Sequence, residues 1–266
     1  MKVIGFCFLI YDKINHEELW YKWLNNIDKN KYRIYIHYKN DVKLKYFEKF
    51  KLKKCINTQY SHISLVKAQN LLLEASVKDN CSHQILLSHA CIPLKPFHHV
   101  YSKLFDQFSY FNKADDEFCF PRCNDTLKFI KKKFIKKSSQ WCILNNKHAK
   151  ILISESDYLD WFNYKKAVPD EHCYLSKLYH SKLDNEIVIT PNLASGATTF
   201  TNWSNMCYPY PSDNGLKNYN VILKDEIDFL LKEACLFGRK FNIECVINDN
   251  NNSIDLTQYL LTRICK

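Results

Sequence analysis

The sequence predicts an α/β fold with a mostly parallel central sheet flanked by helices. Three observations carry that prediction. Residues 3–10 and 32–38 are short runs rich in β-branched and aromatic side chains, the pattern of buried strands. Between them, residues 17–27 place Leu19, Trp20, Trp23, Leu24 and Ile27 on one helical stripe. A second strong helix at 64–77, with Leu65, Ala68, Leu72, Ala75 and Ser76 at helical spacing, leads into a third strand at 84–88. Strand, helix and strand at these intervals begin a parallel sheet.

The elements continue in order. Pro93 ends the third strand and opens a loop, and residues 96–108 read as a helix. Residues 115–124 are polar and read as a loop. The lysine-rich stretch 128–137 carries Phe129, Ile130, Phe134 and Ile135, which fits a helix with a wet basic back. Residues 141–144 read as a strand and 148–153 as a short helix. A helix follows at 170–180 with Pro169 just before it, then strands at 186–190 and 198–203. Residues 205–218, rich in Pro, Asn, Asp and Tyr, read as a loop. A helix is expected at 224–235, and another at 253–264 with Ser253 as cap and Asp255 in its first turn. Neither a repeat nor a linker is apparent, so one domain over residues 1–266 is the expectation.

Composition narrows the class. The 266 residues are 46% hydrophobic and 25% charged, enough to bury a sizeable core. With only 4 Gly and 7 Pro, collagen-like and linker-like architectures are excluded. A formal charge of +10 suits a polyanion, a membrane surface or a phosphorylated small molecule. Twelve Cys would suit a disulfide framework in a small secreted chain. Here the first apolar run lacks a basic leader and a small-residue cleavage site, and it meets Asp12 too soon. No run is long enough to span a bilayer. The expectation is a soluble, cytoplasmic protein whose thiols are buried small hydrophobes.

Four segments stand out together: Ser64-Leu-Val-Lys-Ala-Gln leading to Leu86-Leu87-Ser88-His89-Ala90-Cys91-Ile92-Pro93-Leu94; Ser139-Gln140-Trp141; Pro169-Asp170-Glu171-His172; and Leu236-Phe237-Gly238-Arg239-Lys240-Phe241. Their order and spacing resemble the core-2/I-branching N-acetylglucosaminyltransferase family, from about Lys2 to Phe241. The resemblance implies a GT-A-type glycosyltransferase fold and an inverting, metal-independent transfer of a sugar, N-acetylglucosamine or xylose, from a UDP-sugar to a hydroxyl of a glycan or glycoprotein. No cofactor beyond the UDP-sugar co-substrate is implied.

Such a transfer needs a base for the acceptor hydroxyl, a role worth roughly 10² to 10⁴ in rate. The resemblance gives that role to Glu171. Read as helix-start residues alone, Asp170 would be a cap and Glu171 a first-turn acid favouring the dipole. The leaving diphosphate needs positive charge. Where many glycosyltransferases hold a metal after the third strand, this chain has Ser88-His89-Ala90 and no carboxylate, so fixed cations are expected instead. The resemblance assigns Lys240 to the diphosphate; the second cation is Lys217, by an ungapped count, or Arg239. A solvated basic pair is the plain alternative for Arg239 and Lys240. His37 ends the second strand, either lining the uridine site or serving as a core histidine. Ser88 and Cys91 are expected in the site floor. Trp203, with Asp170, is expected at the acceptor, or else Trp203 is a core residue. Trp141 is expected to pack beneath the donor.

Two rivals remain: a non-catalytic carbohydrate- or polyanion-binding protein that keeps the fold, and a nucleic-acid-binding module gripping through residues 128–137. No nucleic-acid motif accompanies that stretch. His98-His99 and Cys119 with Cys123 lack a second pair at zinc spacing. Oligomeric state is not legible.

Overall fold

The computed structural model describes residues 2–164, 166–190, 198–204 and 207–265. The described residues form β1 (Ile4–Ile10), α1 (Glu17–Asn25), β2 (Tyr32–Tyr38), α2 (Ile63–Lys78), β3 (His83–Ser88), β4 (Ile92–Pro93), α3 (Phe97–Lys103), β5 (Ser109–Asn112), α4 (Asp116–Cys119) and β6 (Ile143–Asn145). They continue with α5 (Asn146–Ser154), α6 (Tyr158–Trp161), α7 (Pro169–His180), β7 (Ile187–Thr190), β8 (Thr199–Thr201), β9 (Tyr219–Leu223), α8 (Lys224–Lys232), β10 (Phe237–Arg239), β11 (Phe241–Asp249), β12 (Asn252–Asp255) and α9 (Leu256–Ile264).

The central sheet has six strands in the order β2-β1-β3-β6-β5-β7. β1 runs parallel to β2 and β3, and β5 runs parallel to β7; β6 is antiparallel to both its neighbours. This is the expected α/β, GT-A-like architecture. β1 is buried on both faces, as a central parallel strand must be. Its even residues Phe6, Phe8 and Ile10 join a core with α1, while Cys7 and Leu9 join a second core with α2. Gly5 is required by the α2 packing, because a Cβ there would lie 2.3 Å from Ser76 Oγ.

The stripe on α1 fixes more than packing. Trp20 lies edge-on to Phe8 at 5.1 Å and stacked near Phe237 at 5.8 Å. Its indole N–H donates to the Cys91 carbonyl at 2.9 Å, and that of Trp23 donates to the Lys95 carbonyl at 2.9 Å. The helix therefore anchors the segment after β3, where the site is built. Truncating such an indole to Ala costs about 3–5 kcal/mol.

Two three-stranded sheets complete the frame, β4-β10-β8 and β12-β11-β9. The second was not foreseen. Tyr219–Leu223 sits in the stretch between the expected loop and helix, and Asn250 and Asn251 take positive φ (49° and 70°) to turn β11 into β12. Ser253 consequently lies in β12 and does not cap α9; Asp255 does, its side chain accepting from Gln258 N at 2.7 Å.

Other expectations need adjusting. The lysine-rich stretch is not a helix but short 3₁₀ turns at Asn124–Lys128 and Lys132–Phe134. Ile130 and Ile135 are buried while Phe129 is exposed, a spacing of five that no single helical face provides. The Lys136 carbonyl is instead taken by His172 and Ser176 side chains. The helix expected at 96–108 stops at Lys103, and the polar stretch 115–124 contains the one-turn α4. The strand expected at 141–144 begins at Ile143. Of the loop 205–218, residues 205 and 206 lie outside the described residues. All twelve cysteines are unbridged, ten of them buried or nearly so. Among the described residues, no helix is long and apolar enough to cross a membrane.

Candidate functional site

The site is assembled at the C-terminal end of β3. There a tight turn holds Ser88 to Cys91: Ser88 Oγ lies 3.2 Å from Cys91 Sγ, and Cys91 N–H donates to the Ser88 carbonyl at 3.2 Å. β4 follows and pairs with β10, Gly238 standing opposite Ile92. A Cβ on Gly238 would meet Leu94 at 3.0 Å and the Phe241 ring at 3.3 Å, so only glycine fits without displacing them. The Phe241 N–H then donates to the Ala90 carbonyl at 3.0 Å. Arg239 and Lys240, between these two ties, are thereby held against the turn after β3.

Across from them stands the start of α7. Pro169 occupies the first turn, where its missing N–H is harmless and its φ is already helical. The cap position is Val168, and no side chain caps it, so Asp170 is not the capping residue its position suggested. The Glu171 carbonyl accepts from Ser138 N at 2.8 Å, which fixes the α7 start to the stretch before Trp141. The Glu171 carboxylate is partly exposed and lies 3.3 Å from Lys137 Nζ.

Asp170 is closed in. Its Oδ1 is cut off from solvent with no hydrogen-bond partner among the described residues. Burial first, and the neighbouring Glu171 second, push its carboxyl up to about 7, with Arg239 pulling the other way. The Arg239 guanidinium sits over the Trp141 ring at 4.8 Å, a cation–π contact. Burial lowers its pKa, while Cys91, Asp170 and Glu171 favour its charge. Burial and Arg239 likewise lower Lys240, which has no ion pair among the described residues. His89 is pushed down to about 4 by burial, then by Lys240 and Arg239, and is neutral at pH 7. Arg239 thus links the carboxylates of α7 to Lys240 in one electrostatic cluster.

The other anticipated residues fall differently. Ser88 and Cys91 are buried beneath this cluster, and burial pushes the Cys91 thiol up, as for a packing thiol. His37 is fully buried at the end of β2, accepts from Ile56 N at 3.0 Å and is pushed down to about 4 by burial. Its Nδ1 has no partner among the described residues. Lys217 pairs at 3.3 Å with Glu226, a carboxylate that also accepts from the Tyr219 hydroxyl at 2.5 Å. Trp203 is 37% exposed and stands opposite Leu216 in an isolated bridge, on the same segment as Lys217. Asp116, at the start of α4, is occupied by Lys113 at 2.8 Å and Lys136 at 3.2 Å. Among the described residues no cluster of three His, Cys, Asp or Glu is placed to hold a metal ion.

Sequence reasoning passed over Lys137, Gln140 and His89 as individual residues. Gln140 and His89 lay inside the quoted motifs, but nothing in their spacing singled them out. Lys137 was hidden at the end of a lysine-rich stretch.

Comparison with known proteins bears on the family, and the matched region ends before Arg239 and Lys240. The family model described as "Core-2/I-Branching enzyme" matches residues 4–227, which takes in the turn after β3 and the start of α7. The chain is also similar to Glycosyltransferase BC10 of Oryza sativa subsp. japonica, 19% identical over 218 residues, covering 69% of this chain and 55% of that protein. The chain thus spans about half the length of the curated relative it matches. With most of its length matched by that model and a central sheet of the GT-A-like kind, the chain belongs to the core-2/I-branching enzyme family of glycosyltransferases.

Proposed function

We propose that this chain transfers a sugar, N-acetylglucosamine or xylose, from a UDP-sugar to a hydroxyl of a glycan or glycoprotein, with inversion and without a metal ion. The observation that carries the reading is the single cluster that joins Glu171, through Arg239, to Lys240, which has no ion pair among the described residues. In the proposed step Glu171 takes the proton of the acceptor hydroxyl as that oxygen bonds to the anomeric carbon. The bond from that carbon to the β-phosphate oxygen breaks, and UDP leaves with the electron pair. Lys240 neutralises the departing charge, and Arg239 adds to the positive field at short range, where a low dielectric strengthens both. Lys137, 3.3 Å from the Glu171 carboxylate, holds that side chain at the start of α7. Metal independence is supported by the absence of a carboxylate in Ser88-His89-Ala90 after β3 and by these two cations.

The test is a panel of nucleotide sugars assayed for thermal stabilisation and donor hydrolysis, with and without a chelator. At a hundred times its Kd, a ligand stabilises by about 2.7 kcal/mol. Stabilisation by UDP and UDP-sugars that survives the chelator supports the reading. Stabilisation abolished by the chelator refutes metal independence, and no response to any uridine nucleotide refutes the donor class.

A further inference from the structure

Three polar atoms around Trp141 are sealed from solvent and have no hydrogen-bond partner among the described residues: Gln140 Nε2, Asp170 Oδ1 and Arg239 Nε. Their segments meet at Trp141. Gln140 adjoins Trp141, whose ring carries the Arg239 guanidinium at 4.8 Å. Ser138, two residues earlier, donates to the Glu171 carbonyl next to Asp170. Leaving one such group unsatisfied costs about 1–3 kcal/mol; Asp170 and Arg239 lie in each other's field and Gln140 is the chain neighbour of Trp141, so the segments that meet at Trp141 mark a position where a ligand completes the bonding.

The chemistry of the set selects the ligand. Gln140 and Arg239 offer N–H donors, and Asp170 offers a carboxyl. A phosphate would accept from the donors but would meet the carboxyls of Asp170 and Glu171, both within the field of Arg239. A hydroxyl both accepts and donates, and fits the mixed set. A carboxyl held up at about 7 also exchanges either role with a hydroxyl near neutral pH. Position selects which hydroxyl: Arg239 directly precedes Lys240, and the donor sugar is one bond beyond the β-phosphate that Lys240 would face.

We infer that Gln140, Arg239 and Asp170 form the subsite that reads the hydroxyl groups of the donor sugar, with Gln140 the residue that sets donor preference and Arg239 contacting the sugar rather than the diphosphate. This rests on the UDP-sugar reading above. Gln140→Leu keeps the volume and removes the amide. Arg239→Lys keeps the charge and removes the Nε–H.

Calorimetric titration of the wild type, Gln140→Leu, Arg239→Lys and Lys240→Met with UDP, UDP-N-acetylglucosamine and UDP-xylose separates the alternatives. For Gln140→Leu and Arg239→Lys, the UDP-sugar that the wild type prefers should bind about tenfold more weakly, while UDP binds within about twofold. Lys240→Met should weaken UDP and UDP-sugar in parallel. Retained UDP binding also reports that each variant is folded. Unchanged UDP-sugar affinity in Gln140→Leu, or an equal loss for UDP itself in Gln140→Leu or Arg239→Lys, overturns the subsite alone. A wild type that binds no uridine nucleotide overturns the donor reading and the subsite with it.

Discussion

Replacing Asp170 by Asn should stabilise the protein, and the gain should grow with pH. The folded-state carboxyl is raised from 3.8 to about 7, chiefly by burial. Below pH 3.8 the group is protonated in both states and contributes nothing. Between about 4 and 7 the unfolded chain binds fewer protons than the folded one, so stability falls as pH rises. Above 7 both are ionised and the penalty is constant. At about 1.36 kcal/mol for each pH unit between the two values, the full penalty is at most about 4 kcal/mol. Between pH 5 and pH 8 the advantage of Asp170→Asn should grow by about 3 kcal/mol. At roughly 2–4 °C per kcal/mol for a chain of this size, that is a differential Tm change of about 6–12 °C. Thermal melts of both proteins at the two pH values measure it. Equal Tm differences at pH 5 and pH 8, or a variant less stable at pH 8, would refute the claim that Asp170 is held against ionisation by its surroundings.

Two further substitutions probe the frame. Gly5→Ala should destabilise by roughly 1–3 kcal/mol, because the new Cβ falls 2.3 Å from Ser76 Oγ; adding Ser76→Ala should recover at least half of the loss in urea denaturation, and no recovery would place the strain elsewhere. Lys217→Ala should lower stability by roughly 1–3 kcal/mol, since it strips the cation from the buried Glu226 carboxylate, and should leave UDP affinity within twofold; a large loss of UDP affinity in calorimetry would return Lys217 to the diphosphate.

The layered core was legible because its signals are local and redundant. β1, α1, β2, α2 and β3 each carry a periodic apolar pattern, and Trp20 and Trp23 announce the buried face of α1. The β9–β11–β12 sheet was not legible, because β11 reads Phe-Asn-Ile-Glu-Cys-Val-Ile-Asn-Asp with exposed and buried positions in irregular order. Its turn rests on Asn250 and Asn251 at positive φ, a conformation asparagine tolerates without announcing it by glycine. At the site, motif order pointed to Glu171 and Lys240 as a pair. It did not reveal that Arg239 lies between the two charges on Trp141, nor that Lys217 is committed to Glu226. Those are facts of tertiary contact, between residues about 100 and 9 positions apart, and no single segment encodes them.

The account turns on Glu171 as proton acceptor, and Glu171→Gln tests it most directly. With the donor identified from the nucleotide-sugar panel and a glycan acceptor found by screening hydroxyl acceptors with that donor, the variant should bind the UDP-sugar within about threefold of the wild type while turnover falls by roughly 10² to 10⁴. Turnover within tenfold of the wild type, with the donor still bound, would contradict it.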